Sequence, residues 1–112
     1  GGPVTDEDLI ALVEDMPMVA AGKAIFMREC IKCHGNKAEG KEGPNLTDEF
    51  WLYGGAPSQI FTTIADGTPK GMPNWGPKMG KGATKQVTAY VLTLRNTNVA
   101  GKAAQGEKWV AP

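Results

Sequence analysis

Cys30, Cys33 and His34 are the only cysteines and the only histidine of the chain, and all three fall in the stretch Cys30-Ile31-Lys32-Cys33-His34. A C-x-x-C pair serves three common chemistries: a redox dithiol, half of a zinc site, or a haem attachment point. The dithiol needs a strand-helix-strand context, which the sequence does not offer. A structural zinc wants four Cys or His ligands, and this chain supplies three, all within a turn and a half. Histidine directly after the second cysteine completes the C-x-x-C-H pattern of covalent haem attachment. Two thiols three residues apart on a helical turn reach the two vinyl groups on one porphyrin edge. The next residue swings beneath the ring. The sequence therefore predicts one haem c, with Cys30 and Cys33 as thioethers and His34 on the iron.

With its single histidine used, the chain leaves the sixth iron position to methionine, to a weaker ligand or to nothing. Five methionines compete. Met27 lies one turn before Cys30, on the attachment side, and cannot reach the opposite face. Met16 and Met18 flank Pro17 and read as packing residues. Met72 and Met79 remain, in the segment KGMPNWGPKMG. A loop without regular structure suits a thioether laid over iron, because Gly71 frees the backbone on one side and Pro73 stiffens it on the other. Met72 is the favoured ligand and Met79 the alternative.

The elements that must position these groups are short. At 112 residues the chain reads as one domain, residues 1–112, and so small a domain buries only about 60–65% of its unfolded surface. Aromatic residues are few and glycine is abundant, so a large apolar prosthetic group would supply missing core. Thr5 and Asp8 resemble a capping box ahead of Leu9, Leu12, Val13 and Met16. A second helix is expected from Val19 to about Cys30, then a polar loop from Gly35 to Pro44. Thr47 suits the cap of a short helix through Trp51. Pro57 opens a helix over Ser58 to Ala65 that Gly67 ends. Thr68 to Gly82 is expected to be extended or turning, and Thr84 to open a helix with the stripe Val87, Tyr90, Val91 and Leu94. No window alternates strictly enough for a strand, so the fold class is all-α. Residues 97–112 form a C-terminal extension in which Trp109 and Val110 are apolar enough to dock on the body.

Twelve basic and twelve acidic side chains balance, which argues against nucleic acid as a partner. Five acids and no base lie between Asp6 and Asp15, whereas Lys70, Lys78, Lys81 and Lys85 crowd a later region. Those lysines suggest a docking patch for an acidic partner. No apolar run approaches the roughly 20 residues of a membrane span. Gly1-Gly2 opens the chain without a methionine, which points to removal of a signal peptide, an anchor or a tag.

Several motifs together resemble a class I cytochrome c: Gly22 and Phe26 before CIKCHG, GPNL at 43–46, GMPNW at 71–75, and the terminal helix VTAYVLTL. The stretches LTDEFWLYGG and AYVLTL and the tail AGKAAQGEKW are similar to the haem-carrying domain of the cytochrome c subunit of cbb-type haem-copper oxidases. The resemblance implies that Gly22 lets the first helix beside the haem cross the last one against Tyr90. It implies that the Pro44 carbonyl accepts the other ring N–H of His34. It also implies haem contacts from Asn45, Leu46 and Trp75, with Trp51 and Tyr53 near the propionates. In that subunit the domain normally follows a membrane helix, which this chain does not contain.

A six-coordinate iron between His34 and Met72 has no open site for substrate. The expected function is single-electron transfer between a respiratory donor and a terminal oxidase, with no catalysis by the chain itself. The resemblance implies a periplasmic setting. The alternative is a five-coordinate haem acting as a gas sensor or weak peroxidase, against which stands the lack of a second histidine for distal acid–base work.

Overall fold

The computed structural model describes residues 3–112; Gly1 and Gly2, and the reading placed on them, lie outside it. Among the described residues five helices run α1 Asp6–Val13, α2 Met16–Glu29, α3 Ile31–His34, α4 Pro57–Asp66 and α5 Trp75–Leu94. Two short strands, β1 Phe50–Trp51 and β2 Glu107–Lys108, pair antiparallel with Phe50 opposite Lys108 and Trp51 opposite Glu107. Among the described residues no helix is long and apolar enough to cross a membrane.

The long helix α5 is the axis on which α1, α2 and α4 pack, α2 most extensively. Gly22 makes that crossing possible, because a Cβ there would overlap the Gln86 carbonyl and crowd Tyr90. The Phe26 and Tyr90 rings close the contact at 5.3 Å between centroids and 57° between planes, a tilted arrangement that aromatic pairs favour. Phe26, Ile25, Leu9, Ile60, Ile64, Val87, Val91 and Leu92 form the buried core. Of the expected α5 stripe, Val87 and Val91 are buried while Tyr90 and Leu94 pack half-exposed at its margin.

Several boundaries differ from expectation for local reasons. α2 begins at Met16, not Val19, because the Asp15 carboxylate accepts the Met18 N–H and Pro17 suits the first turn. The short helix expected after Thr47 does not form. Asn45 and Asp48 turn their side-chain oxygens onto the N–H groups of Thr47 and Phe50, which draws the backbone into turns that compete with a helix. Phe50 and Trp51 pair with the tail instead, in a ladder of two residues a side, and the fold is otherwise helical as expected. Helix also begins earlier than Thr84: residues from Trp75 are helical up to Gly80, whose φ of 88° and ψ of 164° break α5 into two segments. Thr84 lies inside the second segment and bonds back to the Gly80 carbonyl.

The N-cap of α4 is Ala56, whose side chain has no oxygen to cap it. Gln59 reaches back to the Ala56 N–H, and Asp6 of α1 accepts the Ser58 N–H at 2.7 Å. The Ser58 hydroxyl and N–H, with the Arg95 charge, hold the Asp6 carboxyl below the ordinary aspartate range despite some desolvation. This stabilisation is present above the unfolded-state pKa of about 3.9 and is lost as pH falls through the lower folded value. Asp6→Ala should cost about 1 kcal/mol at pH 7, the usual worth of a cap. In urea unfolding the gap from the parent should narrow as pH falls below the ordinary aspartate range. A gap that persists there would show that the carboxylate charge is not what α1 gives α4.

Candidate functional site

Cys30 ends α2, and the chain turns directly into α3 with Cys33 and His34 N–H groups both bonded to the Cys30 carbonyl. This single turn holds all three groups. Cys30 and His34 are buried and Cys33 is half-buried, and both thiols are free. Burial, with help from Glu29 and Cys33, pushes the Cys30 thiol up to about 11.

The loop after His34 wraps its ring. Gly40 N–H bonds to the His34 carbonyl and Gly43 N–H to the Cys33 carbonyl, each at 2.7 Å, and Leu46 N–H to the Ala38 carbonyl. His34 Nδ1 lies 2.9 Å from the Pro44 carbonyl oxygen. A carbonyl only accepts, so Nδ1 carries the proton and Nε2 keeps its lone pair. Burial, opposed by the Pro44 bond and aided by the Lys102 cation, holds the ring below its usual pKa and hence neutral. Neutral imidazole with one nitrogen oriented by a carbonyl is the form that binds a metal.

Met72 sits in a loop closed on itself. Thr68 N–H bonds to the Met72 carbonyl at 3.0 Å, and the Met72 N–H returns to Thr68 Oγ1 at 3.3 Å. Gly67 is required beside it, having φ of 75° and no room for a Cβ against the Met72 carbonyl. Both Met72 and Met79 pack half-buried against the core, so burial does not separate them. They differ in setting: Met79 rides on the first segment of α5, whereas Met72 projects from the closed loop.

The other anticipated residues divide. Trp51 is half-buried and its Nε1 is buried without a hydrogen-bond partner. Leu46 and Trp75 pack at the core margin. Tyr53 is exposed. Asn45 engages its whole amide within the chain, accepting from Thr47 N–H and hydroxyl and donating to the Val99 and Lys102 carbonyls. Sequence reasoning missed Arg95, whose guanidinium lies 4.3 Å from the Trp109 ring centroid and donates to the Gly55 carbonyl. Gly55 lies between Trp51 and Trp109, which fixes the docked tail, although Val110 stays exposed. The signal was an arginine placed just past the last apolar turn of α5.

The lysines also divide. Lys81 and Lys85 bring their charge to Asp8 of α1, where the acids of the N-terminal run meet the basic stretch. Lys70 and Lys78 are exposed away from that pairing, with Lys78 Nζ 5.7 Å above the Trp75 ring.

Among the described residues no three His, Cys, Asp or Glu side chains converge to hold an ion by themselves. Two thiols and one oriented imidazole on a turn, thioethers on the core margin and an orphaned indole N–H instead fit a haem c. That group takes thioether bonds, an axial nitrogen and a donor to its carboxylates.

The sequence matches the family model of cytochrome c oxidase, cbb3-type, subunit III over residues 17–91. Among curated relatives, the cbb3-type cytochrome c oxidase subunit FixP of Azorhizobium caulinodans is 41% identical over 83 residues, covering 71% of this chain and 28% of that protein. The subunit CcoP of Azospirillum sp. is 35% identical over 117 residues, covering 91% of this chain and 38% of that one. The chain thus spans well under half the length of these relatives. Among solved structures, cytochrome cL of Methylophaga aminisulfidivorans superposes with a TM-score of 0.65 at 30% identity, covering 73% of this chain and 58% of that one.

Gly43 tests how closely the loop fits the ring. A Cβ there would lie 2.7 Å from His34 Cε1 and 3.1 Å from the Cys33 carbonyl, so Gly43→Ala should lower the holoprotein's unfolding free energy by about 1–3 kcal/mol. Gly82, in α5 with open space around it, serves as the contrast: Gly82→Ala should raise stability by up to about 1 kcal/mol. Equal effects in guanidinium unfolding would mean that the His34 ring is not confined by this loop.

Proposed function

Subunit III of cbb3-type cytochrome c oxidase is the family to which this chain belongs, and on that footing we propose that it is a single-electron carrier for a terminal oxidase, with His34 and Met72 as axial ligands. The class I cytochrome c fold and its covalently bound haem c come with the family and the structural relatives. Attachment falls to Cys30 and Cys33. Bound there, the haem supplies reversible one-electron chemistry.

The observation that carries the reading is the His34 Nδ1–H bond to the Pro44 carbonyl. It leaves Nε2 free on the turn that bears both thiols. The Thr68–Met72 loop, closed by its own hydrogen bonds, offers a thioether as the second ligand, and methionine ligation favours the ferrous state and raises the potential. Trp51 Nε1 supplies a donor for a haem carboxylate. With both axial positions filled by residues that suit either oxidation state, the chain has no substrate site, and its part is to orient, insulate and dock. The domain works on the periplasmic side beside oxidase subunits, by analogy with FixP and CcoP, and takes electrons from a donor upstream.

Two measurements test this. In Met72→Ala the weak long-wavelength sulfur-to-iron band should vanish and carbon monoxide should bind, while Met79→Leu should keep the band and stay indifferent to the gas. The reverse pattern would assign Met79, and a parent protein that binds carbon monoxide would favour a sensor or peroxidase. Separately, reversing Lys70 and Lys78 to Glu should slow reduction of an acidic redox partner severalfold at about 10 mM salt, where the screening length is about 30 Å, and much less at about 0.15 M. A rate unchanged at both salts would remove these lysines from docking.

A further inference from the structure

The loop that carries the Pro44 carbonyl is held from outside by the chain that follows α5. Asn96 and Asn98 both adopt positive φ, 63° and 52°, a conformation asparagine tolerates better than most residues. The chain thereby reverses and lays residues 97–102 along residues 39–47. Downstream of Pro44, Asn98 N–H bonds to the Thr47 carbonyl and Val99 N–H to the Thr47 hydroxyl, each at 2.9 Å. Asn45 donates to the Val99 and Lys102 carbonyls at 3.1 and 3.3 Å. Upstream, Lys102 N–H bonds to the Glu39 carbonyl at 2.9 Å and its ammonium to the Glu42 carbonyl at 3.0 Å.

The hub of these contacts is dry. Thr47 is 0% and Asn45 7% exposed, and the Thr47 hydroxyl, which accepts from Val99, donates to Asn45 Oδ1 at 2.6 Å. Buried networks with every member paired are rigid, and removing one partner leaves the rest unsatisfied. Pro44 itself cannot donate a backbone bond. Its carbonyl is therefore positioned through its neighbours: Gly43 is tied to the Cys33 carbonyl, while Glu39 and Glu42 upstream and Asn45 and Thr47 downstream are bonded to the same six-residue segment.

We propose that residues 97–102 are a strap that positions His34, with Asn45 and Thr47 as positioning residues that fix the Pro44 carbonyl against its Nδ1–H. This goes beyond the reading of His34 as the iron ligand, and rests on it. A ligand imidazole held by a fixed acceptor keeps its orientation and basicity. The strap thus brings the segment after the last helix into control of the iron's proximal side, although it lies more than 60 residues from His34 in sequence.

The test is the solvent exchange of the His34 Nδ1–H, followed by NMR in the reduced holoprotein. Thr47→Val removes the hydroxyl with little change of shape. Exchange should become at least roughly five to ten times faster, the worth of one of the two hydrogen bonds that hydroxyl makes, while amides of α5 keep their protection. Thr47→Ser should restore the parent rate. A chain ending after Asn96 should exchange at least as fast as Thr47→Val, and one ending after Lys102 should match the parent. If the shorter chain does not fold, the Thr47 pair decides alone. Parent-like exchange in Thr47→Val would overturn the strap, as would α5 amides accelerating in step or Thr47→Ser failing to rescue. If the parent shows no haem-shifted His34 resonance at all, the ligand reading falls and the strap with it.

Discussion

Everything in the site depends on how closely α2 approaches α5. The backbone of Gly22 lies against the Gln86 carbonyl with no space for a side chain, and one turn on, Phe26 meets Tyr90. That contact anchors α2, the helix that Cys30 caps. From there, the next four residues carry Cys33 and His34 into place, without any long loop to blur their position. A small domain has little core to distribute its errors over, so a shift at this crossing would pass directly to the thiols and the imidazole. The tight fit of Gly22 and the tight fit of the ring against Gly43 are two ends of one rigid lever.

Much of this was legible in sequence because it rests on local chemistry. The C-x-x-C-H pattern, the Thr5 capping box, the Pro57 start and Gly67 end of α4, and the Val87 and Val91 face of α5 each follow from residues close together in the chain. What was not legible depends on partners far apart. Asp15 capping α2 was readable in principle but overshadowed by Pro17. The failure of a helix after Thr47 needs both Asn45 and Asp48 turning onto the backbone and a strand partner more than 50 residues away. Asp6 capping α4, Arg95 stacking on Trp109 and the lattice of bonds around Thr47 have no periodicity to announce them.

The charge layout carries the same lesson. Read as a string, the acids of residues 6–15 and the lysines of 70–85 are two separate blocks. Folded, α1 lies against α5, and Asp8 faces Lys81 and Lys85. Their opposition makes that face mixed in sign and leaves a smaller basic area around Lys70 and Lys78. Screening acts on what remains exposed, so the effective patch is set by packing, not by composition.

The segment 97–102 also imposes an order on events. A chain made from its N-terminus presents the Cys30–His34 turn long before residues that can lie along 39–47 have emerged, and contacts spanning more than 50 residues close late. Until then the loop beneath His34 lacks its outer bonds. In the closed fold Cys30 is buried, and an unattached thiol there is raised to about 11, so it holds little thiolate until a thioether replaces it. The bonds from residues 97–102 to residues 39–47 are thus among the last that the growing chain can make, and they close the loop beneath His34 from outside.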